Sequence, residues 1–282
     1  MLIVLNEKSS SMKIVSFNTN SIRLRLHQLA ALRDIHAPDI IGIQETKVTD
    51  EAFPVDEIKA IGYESVFFGQ KTHYGVAMLS KTPMKHVQYG FTSDADDAQR
   101  RLITATITSS KGNDVTVING YFPQGENRKH EVKFPAKKKF YQDLQTKLET
   151  EHRTDEHLAV IGDFNVAPVD NDIGIGADNI KRWLRSGATC FLPEEREWLQ
   201  RLMDWGLEDS YRVKYPDVDD VYSWFDYRSK GFDRDPKRGI RIDHLLTTSV
   251  MTKSLLDSGV DYDIRAMEKP SDHCPAWSEF DV

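Results

Sequence analysis

Short apolar runs rich in β-branched residues recur along the chain, and most of them stop at a polar or charged side chain. Each run is shorter than an average helix of about 11 residues, so its length favours a buried strand. We predict strands at Lys13–Phe17, Asp39–Gln44, Gly75–Leu79, Leu102–Ile107, Val115–Tyr121, Leu158–Gly162 and Arg241–Thr247. Such a set of strands requires at least one large sheet with both faces covered.

Helical patterns lie between these strands. Apolar residues recur at the spacing of one helix face, in stripes formed by Leu26, Leu29, Ala30 and Leu32, and by Phe140, Leu144 and Leu148. A third helix is predicted to begin at Pro193, where acidic residues follow the proline. The alternation predicts an α/β fold with two packed sheets flanked by helices. We expect residues 12–282 to form this single domain and residues 1–11 to be an N-terminal extension.

The chain has 282 residues, of which 39% are hydrophobic, so it can bury a large core. Its formal net charge of -7 argues weakly against a nucleic-acid partner. A polyanion responds to local charge, however, and clustered carboxylates that hold a metal would lower the net charge. Basic residues cluster at Arg100–Arg101, Lys133–Lys139, Lys181–Arg185 and Arg228–Arg241. Each cluster alone is typical of a solvated surface, and only a nearby site would give it a role.

Cys190 and Cys274 are far apart and lack Cys-x-x-Cys spacing. This pattern favours neither a disulfide framework nor a thiolate zinc site, and it suits a reducing compartment. No apolar run approaches the roughly 20 residues that span a bilayer. The first residues also lack the pattern of a signal peptide. We therefore expect a cytoplasmic protein without a membrane partner.

Polar residues stand where the apolar runs end. The second predicted strand stops at Gln44 and Glu45. A carboxylate resists desolvation unless it is paired or bound to a metal, so Glu45 is a candidate metal ligand. A salt bridge from Glu45 to Lys47 is the structural alternative.

The run Leu158–Gly162 opens into Asp163, Phe164 and Asn165. Alternate side chains of an extended segment share a face, so Asp163 and Asn165 are predicted to point together while Phe164 enters the core. A carboxylate and an amide on one face could align a water molecule and hold a phosphate oxygen. An Asx-turn that simply closes the strand is the alternative.

Asp272 precedes His273 near the C-terminus, and Asp243 lies inside an apolar run. Because a buried aspartate commonly holds an imidazole in one tautomer, Asp243 and His273 are a candidate pair. A lone histidine is more often structural. His244 is the competing partner, but alternation places it on the face opposite Asp243.

Several other active-site motifs are missing from the sequence. It has no Gly-x-Ser-x-Gly elbow, Walker A loop or dinucleotide-binding glycine fingerprint. The glycines of segment 172–176 are not followed by the Lys-Ser/Thr of a phosphate-binding loop. We predict that this segment is a flexible loop leading into a helix at Asn179–Arg185.

Taken in order, the polar motifs resemble those of the exonuclease-endonuclease-phosphatase (deoxyribonuclease I-like) superfamily. The matching positions are Asn18, Gln44–Lys47, Ile118–Tyr121, Gly162–Asn165, Ser223–Trp224, Arg241–Asp243 and Ser271–His273. Longer segments are similar to the bacterial exonuclease III group within it, at Thr116–Glu126, Phe134–Lys137, Ser223–Phe232 and Met267–His273. The resemblance extends from Met12 to the C-terminus.

This resemblance implies a four-layer αββα sandwich, in which two packed mixed sheets are flanked by helices and the site lies at one edge. It implies a DNA-repair nuclease that depends on Mg²⁺ or Mn²⁺. Such an enzyme cuts 5′ to abasic sites, degrades double-stranded DNA from 3′ to 5′, and removes 3′ phosphates and other blocked 3′ ends. We expect it to act as a monomer.

The resemblance also assigns roles to residues. It gives catalytic roles to Tyr121, Asp163, Asn165, Asp243 and His273. It draws metal ligands from Glu45, Asn18, Asp163, Asn165, Asp272 and His273. It implies substrate contacts from Arg101, Gln124, Lys181, Arg185, Trp224, Phe225 and Ile240. Trp224 and Ile240 would wall a small pocket that accepts a flipped abasic sugar and excludes a nucleotide with its base. The alternative is that both are core residues.

Two other functions are compatible with parts of this pattern. A superfamily phosphodiesterase could act on a phosphoinositide or a sphingolipid, but the exonuclease III-like segments outside the site argue against it. A catalytically silent DNA-binding relative would be expected to lack Glu45, Asp163 or His273, and all three are present.

Overall fold

The computed structural model describes residues 11–282, so the predicted extension lies outside the described residues except for Ser11. Two six-stranded sheets form the centre of the described chain. The first sheet contains β1 (Met12–Asn18), β2 (Ile40–Gln44), β3 (Glu64–Phe68), β4 (Val76–Ser80), β11 (Leu255–Val260) and β12 (Ala276–Phe280). Its strand order is β11-β12-β1-β2-β4-β3, and only β1 and β2 pair in parallel.

The second sheet contains β5 (Lys85–Tyr89), β6 (Leu102–Thr108), β7 (Asp114–Tyr121), β8 (Leu158–Asp163), β9 (Leu207–Asp209) and β10 (Asp243–Thr248). Its strand order is β5-β6-β7-β8-β10-β9, and β7 and β8 form its parallel pair. Both sheets are therefore mixed.

The helices of the described chain are α1 (Leu26–His36), α2 (Val55–Ala60), α3 (Lys133–Glu151), α4 (Ala177–Ser186), α5 (Pro193–Gly206), α6 (Ser210–Lys214), α7 (Ser249–Thr252) and α8 (Tyr262–Arg265). The predicted apolar stripes thus lie on α1 and α3, and the third predicted helix does begin at Pro193. No helix among the described residues combines the length and apolar character needed to cross a membrane.

Alternating side chains of the central strands enter different apolar layers. Ile14 of β1 packs between the sheets with residues such as Val117 and Ile161. Its neighbour Val15 packs on the outer side of the first sheet, where Leu29 of α1 also lies. A third cluster joins α3 and α5 to the outer side of the second sheet. This helix–sheet–sheet–helix order is the predicted four-layer sandwich, and burial on both faces explains the continuous apolar runs.

The strands that the apolar pattern missed are β3, β5, β9, β11 and β12. All except β12 lie at sheet edges, where side chains stay partly exposed and the run of apolar residues is broken. The last predicted strand begins at Asp243 rather than Arg241. The backbone N–H of Arg241 donates to the carbonyl of Asp172 instead of to a neighbouring strand.

Candidate active site

The polar strand ends of both sheets meet at one edge of the sandwich. In the first sheet Asn18 ends β1 beside Gln44, and Glu45 follows directly. In the second sheet Tyr121 ends β7 beside Asp163, the last residue of β8. β10 runs antiparallel to β8, so its first residue, Asp243, also lies beside Asp163. The topology therefore brings side chains from distant parts of the sequence together.

Asn18 connects the two sheets across this edge. Its buried side-chain amide donates to Glu45 Oε1 at 2.9 Å and to Asp163 Oδ2 at 3.0 Å. Its Oδ1 accepts from the backbone N–H of Asn20 at 3.0 Å. Asn18 thus turns its nitrogen towards both carboxylates, whereas the metal-ligand prediction for Asn18 requires its oxygen.

His273 is held by Asp243, as the sequence predicted. Its Nδ1 lies 2.9 Å and 3.1 Å from the two carboxylate oxygens of Asp243. Its Nε2 is 3.8 Å from Asp163 Oδ2, which is longer than a hydrogen bond. Burial alone lowers the pKa of His273, but the carboxylates of Asp243 and Asp163 outweigh that effect and raise it to about 10. These two carboxylates therefore favour the protonated imidazole, whose Nε2 lies on the side of Asp163.

The segment after β8 departs from simple strand alternation. Phe164 packs in the apolar core, as predicted. Asn165, however, has a φ of 54°, so the chain turns there in a left-handed conformation. The backbone N–H of Asn165 donates to Asp163 Oδ1 at 3.0 Å, and its side-chain amide donates to the carbonyl of Phe122 at 3.0 Å. This Asx-type turn fixes the Asp163 carboxylate. The Asx-turn that was the structural alternative is therefore present, and it also places Asp163 in the candidate site.

A buried ion pair supports that turn from below. Lys137 of α3 and Glu195 of α5 are both fully buried, with Nζ 2.5 Å from Oε1. The same Nζ donates to the carbonyl of Asn165 at 2.8 Å. Sequence reasoning treated Lys137 as part of a solvated basic cluster. The available signal was its place in the exonuclease III-like segment Phe134–Lys137.

Burial and neighbouring charges tune the carboxylates and the phenol of the site. Burial raises the pKa of Asp163 to about 7, with additional effects of Asp243 and Glu45 and an opposing effect of His273. For Glu45 the ammonium of Lys47, at 2.9 Å, outweighs the effect of burial and lowers the pKa. Burial and the Glu45 carboxylate raise the pKa of Tyr121 well above its usual value. Near neutral pH Asp163 can therefore exchange a proton, whereas Tyr121 remains a hydroxyl donor.

Among the described residues, Glu45, Asp163 and His273 form a group that could hold a metal ion. One donor atom of each lies within 4.8 Å of the others. Two of these donors are carboxylates, which suit a hard divalent cation. In the structure the Lys47 ammonium supplies the positive charge beside Glu45. Asp272 is not in this group, because its two oxygens accept from Asn20 at 2.8 Å and from the indole of Trp224 at 3.0 Å.

The predicted substrate contacts differ in exposure. Gln124, Lys181 and Arg185 are exposed. Trp224 is partly exposed and makes backbone bridges to Ile240 and His273, so it lies beside the candidate pair as predicted. It also lines a cavity of about 160 Å³ with Trp183 and with Arg182, Arg234 and Arg238.

Phe225 and Ile240 have no exposed side-chain surface. Phe225 packs against Tyr222 and Cys274 in a separate apolar cluster, and Ile240 packs beneath Trp224. A contact of these two side chains with substrate stays a prediction. Alternating polar and apolar residues in that segment did not reveal which side of the chain faces the core.

Two arginines of the basic clusters are also buried. Arg101 is only 7% exposed and lies against two tyrosine rings, and its contact with substrate stays a prediction. Arg241 is 1% exposed and bonds to Asp172 and Asp209. Its Nη1 also lies 2.9 Å from Nδ1 of His244, while Nε2 of His244 donates to the carbonyl of Val166. His244 thus faces away from Asp243, as alternation predicted.

The two cysteines are unpaired and buried. Burial raises the pKa of the Cys190 thiol to about 12 and that of Cys274 well above its usual value. Neither thiol belongs to the candidate metal group.

Two packed mixed sheets with clustered carboxylates at one edge are the architecture of the deoxyribonuclease I-like class. The chain belongs to the Endonuclease/Exonuclease/phosphatase family, whose sequence pattern matches residues 15–273. It is 55% identical over 269 residues to exodeoxyribonuclease III of Haemophilus influenzae, a match that covers 95% of this chain and 100% of that protein.

Solved structures confirm the fold. A 3′-5′ exonuclease (NExo) from Neisseria meningitidis is 38% identical, with a TM-score of 0.85 over 96% of this chain and 100% of that one. An AP endonuclease from Archaeoglobus fulgidus is 34% identical, with a TM-score of 0.86 over 96% and 100% of the two chains. The 3′ phosphatase NExo from Neisseria, solved with a product DNA hairpin, has a TM-score of 0.85 at 38% identity, over 96% of this chain and 100% of that chain.

Proposed function

We propose that this chain is a DNA-repair nuclease. It acts as a 3′→5′ exodeoxyribonuclease on double-stranded DNA and as an endonuclease that cuts 5′ to abasic sites, and it removes 3′ phosphates. The observation that carries the proposal is the convergence of Glu45, Asp163 and His273 at one edge, with donor atoms within 4.8 Å of one another. The likeness to an exodeoxyribonuclease, an AP endonuclease and a 3′ phosphatase supports all three activities.

Mg²⁺ or Mn²⁺ is the ion that we propose for this site, with Glu45 as the principal ligand and Asp163 and His273 close by. Carboxylate oxygens are the preferred donors for these cations. When bound, such an ion supplies positive charge that offsets the growing negative charge of the reacting phosphate.

The protein's own residues supply the proton transfers. Asp163, whose pKa is raised by burial, accepts the proton of the attacking water. Asn165 orients that water or the phosphate. His273, kept protonated by Asp243, donates from Nε2 to a non-bridging phosphate oxygen. The Tyr121 hydroxyl contacts the phosphate or the leaving 3′ oxygen.

A DNA duplex would reach this edge over exposed basic side chains. Lys181 and Arg185 on α4 and the exposed Gln124 flank the approach. We propose that these residues contact the sugar–phosphate backbone and therefore act without regard to sequence. We also propose that residues 12–282 are one domain that works as a monomer in the reducing cytoplasm, which fits the two unpaired cysteines.

A comparison of three substrates tests the proposed function. The purified protein is incubated with an abasic-site duplex, a duplex with a 3′ phosphate and a phosphoinositide, each with Mg²⁺. We expect incision 5′ to the abasic site, release of inorganic phosphate from the second substrate, and no turnover of the lipid. Turnover of the phosphoinositide alone would instead identify a phosphodiesterase for a non-nucleic-acid substrate. Binding of DNA without cleavage would identify a silent relative.

Selection of abasic sites is proposed to depend on Trp224. Its partly exposed ring lies beside His273 and would pack against a flipped abasic sugar. We expect Trp224→Ala to lower abasic-site incision by roughly 10-fold or more, the usual effect of a lost apolar pocket contact, and to change 3′-phosphate removal much less. Both rates and the melting temperature are measured on one preparation.

Trp277→Ala provides the matched control, because Trp277 is also partly exposed but lies on β12 beside Lys13. It should leave the ratio of the two activities unchanged. If Trp224 had only a packing role, Trp224→Ala would reduce both activities together and would lower the melting temperature, as loss of a core tryptophan does.

A further inference from the structure

Arg101 lies against two tyrosine rings at the border of the candidate site. Its guanidinium carbon is 4.2 Å from the ring centre of Tyr74 and 4.5 Å from that of Tyr121. The two ring centres are only 6.4 Å apart, so the rings meet the guanidinium from adjoining directions rather than from its two opposite faces. Such contacts attract the cation through the negative face of each ring, more strongly where water is excluded.

Directed hydrogen bonds fix the same guanidinium. Nη1 donates to the carbonyl of Tyr121 at 3.0 Å, and Nε donates to Gln99 Oε1 at 2.7 Å. The amide nitrogen of Gln99 in turn donates to the Tyr74 hydroxyl at 3.1 Å. The backbone N–H of Tyr121 also donates to the carbonyl of Arg101 at 2.8 Å. These bonds fix the position and the plane of the Arg101 guanidinium. Because two of them join Arg101 to Tyr121, they also restrict the position of Tyr121.

The ring of Tyr74 joins this arrangement to the other sheet. Tyr74 precedes β4, and its carbonyl accepts from the backbone N–H of Lys47 at 3.0 Å. The next carbonyl, of Gly75, accepts from Thr46 at 3.0 Å. The loop that carries Glu45 is therefore tied to Tyr74 on the first sheet, whereas Tyr121 ends β7 on the second.

We propose that Arg101 and Tyr74 are positioning residues that hold the Tyr121 hydroxyl in register with Glu45 across the two sheets. The inference rests on the proposed nuclease function, since it assigns these residues a role in that reaction. Arg101 acts through Tyr121 and not on DNA, because only 7% of it is exposed and its Nε and Nη1 already donate to Gln99 and Tyr121. A small displacement of a catalytic group costs rate rather than affinity.

The test compares three variants in steady-state cleavage of an abasic-site duplex. Arg101→Lys keeps the charge but loses the planar group that stacks and the paired donors. Tyr74→Leu removes one ring, and Tyr74→Phe keeps the ring but loses the hydroxyl, which hydrogen-bonds with both Gln99 and Arg101. We expect kcat to fall at least about 10-fold in Arg101→Lys and Tyr74→Leu, with KM within about 2-fold of wild type. Tyr74→Phe, which retains the ring, should lose less kcat than Tyr74→Leu.

DNA binding as a function of salt, measured in EDTA, separates this role from a phosphate contact. Arg101→Lys should leave the slope of log affinity against log salt unchanged. Lys181→Ala, the control for an exposed cation, should make the slope shallower by about one unit. Because Tyr74 is partly exposed, Tyr74→Leu should retain the wild-type melting temperature, so its kinetics remain interpretable even if Arg101→Lys is unstable.

A raised KM and a shallower salt slope with unchanged kcat in Arg101→Lys would overturn the proposal and make Arg101 a phosphate contact. Wild-type kcat in Tyr74→Leu would also overturn it, because the stack would then have no influence on Tyr121. Failure of the underlying function is distinguishable from both results. It would appear as absence of cleavage by the wild-type protein.

Discussion

Replacement of Asp163 by Asn is expected to lower the rate of phosphodiester cleavage by at least about 10²-fold, the usual cost of a lost general base. The substitution keeps the shape of the side chain, and its amide oxygen can still accept from the backbone N–H of Asn165, whereas the bond from the Asn18 amide is lost because the new NH2 is a donor. What it removes is the group that accepts a proton near neutral pH. The rate is measured under single-turnover conditions with an abasic-site duplex.

The matched control for this change is Asp155→Asn. Asp155 is exposed and pairs with Arg153 at the surface, away from the strand ends that form the site. It should cleave DNA at the wild-type rate. Binding of uncleaved duplex to Asp163→Asn, measured in EDTA, should be as tight as wild type or tighter, since a negative charge near the scissile phosphate is gone. A turnover close to wild type in Asp163→Asn would remove Asp163 from the mechanism.

The central strands could be predicted because they are buried on both faces. Residues such as Ile14 and Val15 of β1 enter different apolar layers, so the sequence shows an unbroken apolar run. The polar residues that interrupt such runs, Glu45 and Asp163 among them, then mark the strand ends at which a site can form. Edge strands such as β5 expose most of their side chains and leave no comparable signal.

The supporting shell of the site could not be predicted from the sequence. A lysine or arginine is written in the same way in the sequence whether it is buried or exposed. The sequence also does not show which carboxylate or aromatic ring will pack against a buried one. The buried position of Lys137 depends on its ion pair with Glu195, and that of Arg101 depends on its contact with the Tyr74 ring. Only tertiary packing brings these partners together. The left-handed turn at Asn165 likewise depends on groups from other segments.

The orientation of side-chain amides and indoles could not be predicted from the sequence either. Asn18 is predicted to offer oxygen to a metal, and in the structure that oxygen accepts from the backbone N–H of Asn20 while the amide nitrogen faces Glu45 and Asp163. Asp272 is predicted near the metal, and its oxygens accept from Asn20 and Trp224. Both outcomes depend on hydrogen bonds between residues far apart in sequence, which a linear pattern does not encode.

Removal of divalent metal is expected to abolish cleavage altogether. With EDTA the protein should cut no abasic-site duplex, and Mg²⁺ or Mn²⁺ should restore the activity. The physical reason is the all-oxygen character of the two carboxylates in the candidate group, which suits hard cations and lacks any thiolate. If Zn²⁺ alone restored a stripped protein to full activity, the proposed class of metal would be wrong.

The same experiment identifies the ligand when it is run on two carboxylate variants. Glu45→Gln should raise the Mg²⁺ concentration for half-maximal activity by at least about 10-fold, since even outer-shell changes cost that much affinity. Asp272→Asn is the control, because the hydrogen bonds from Asn20 and Trp224 keep Asp272 outside the candidate group. Its Mg²⁺ requirement should match wild type even if its rate changes.

Calorimetric titration of the DNA-free protein with Mn²⁺ provides a readout that does not depend on turnover. Weakened binding in Asp272→Asn together with normal binding in Glu45→Gln would transfer the ligand role to Asp272 and contradict the geometry of Glu45, Asp163 and His273.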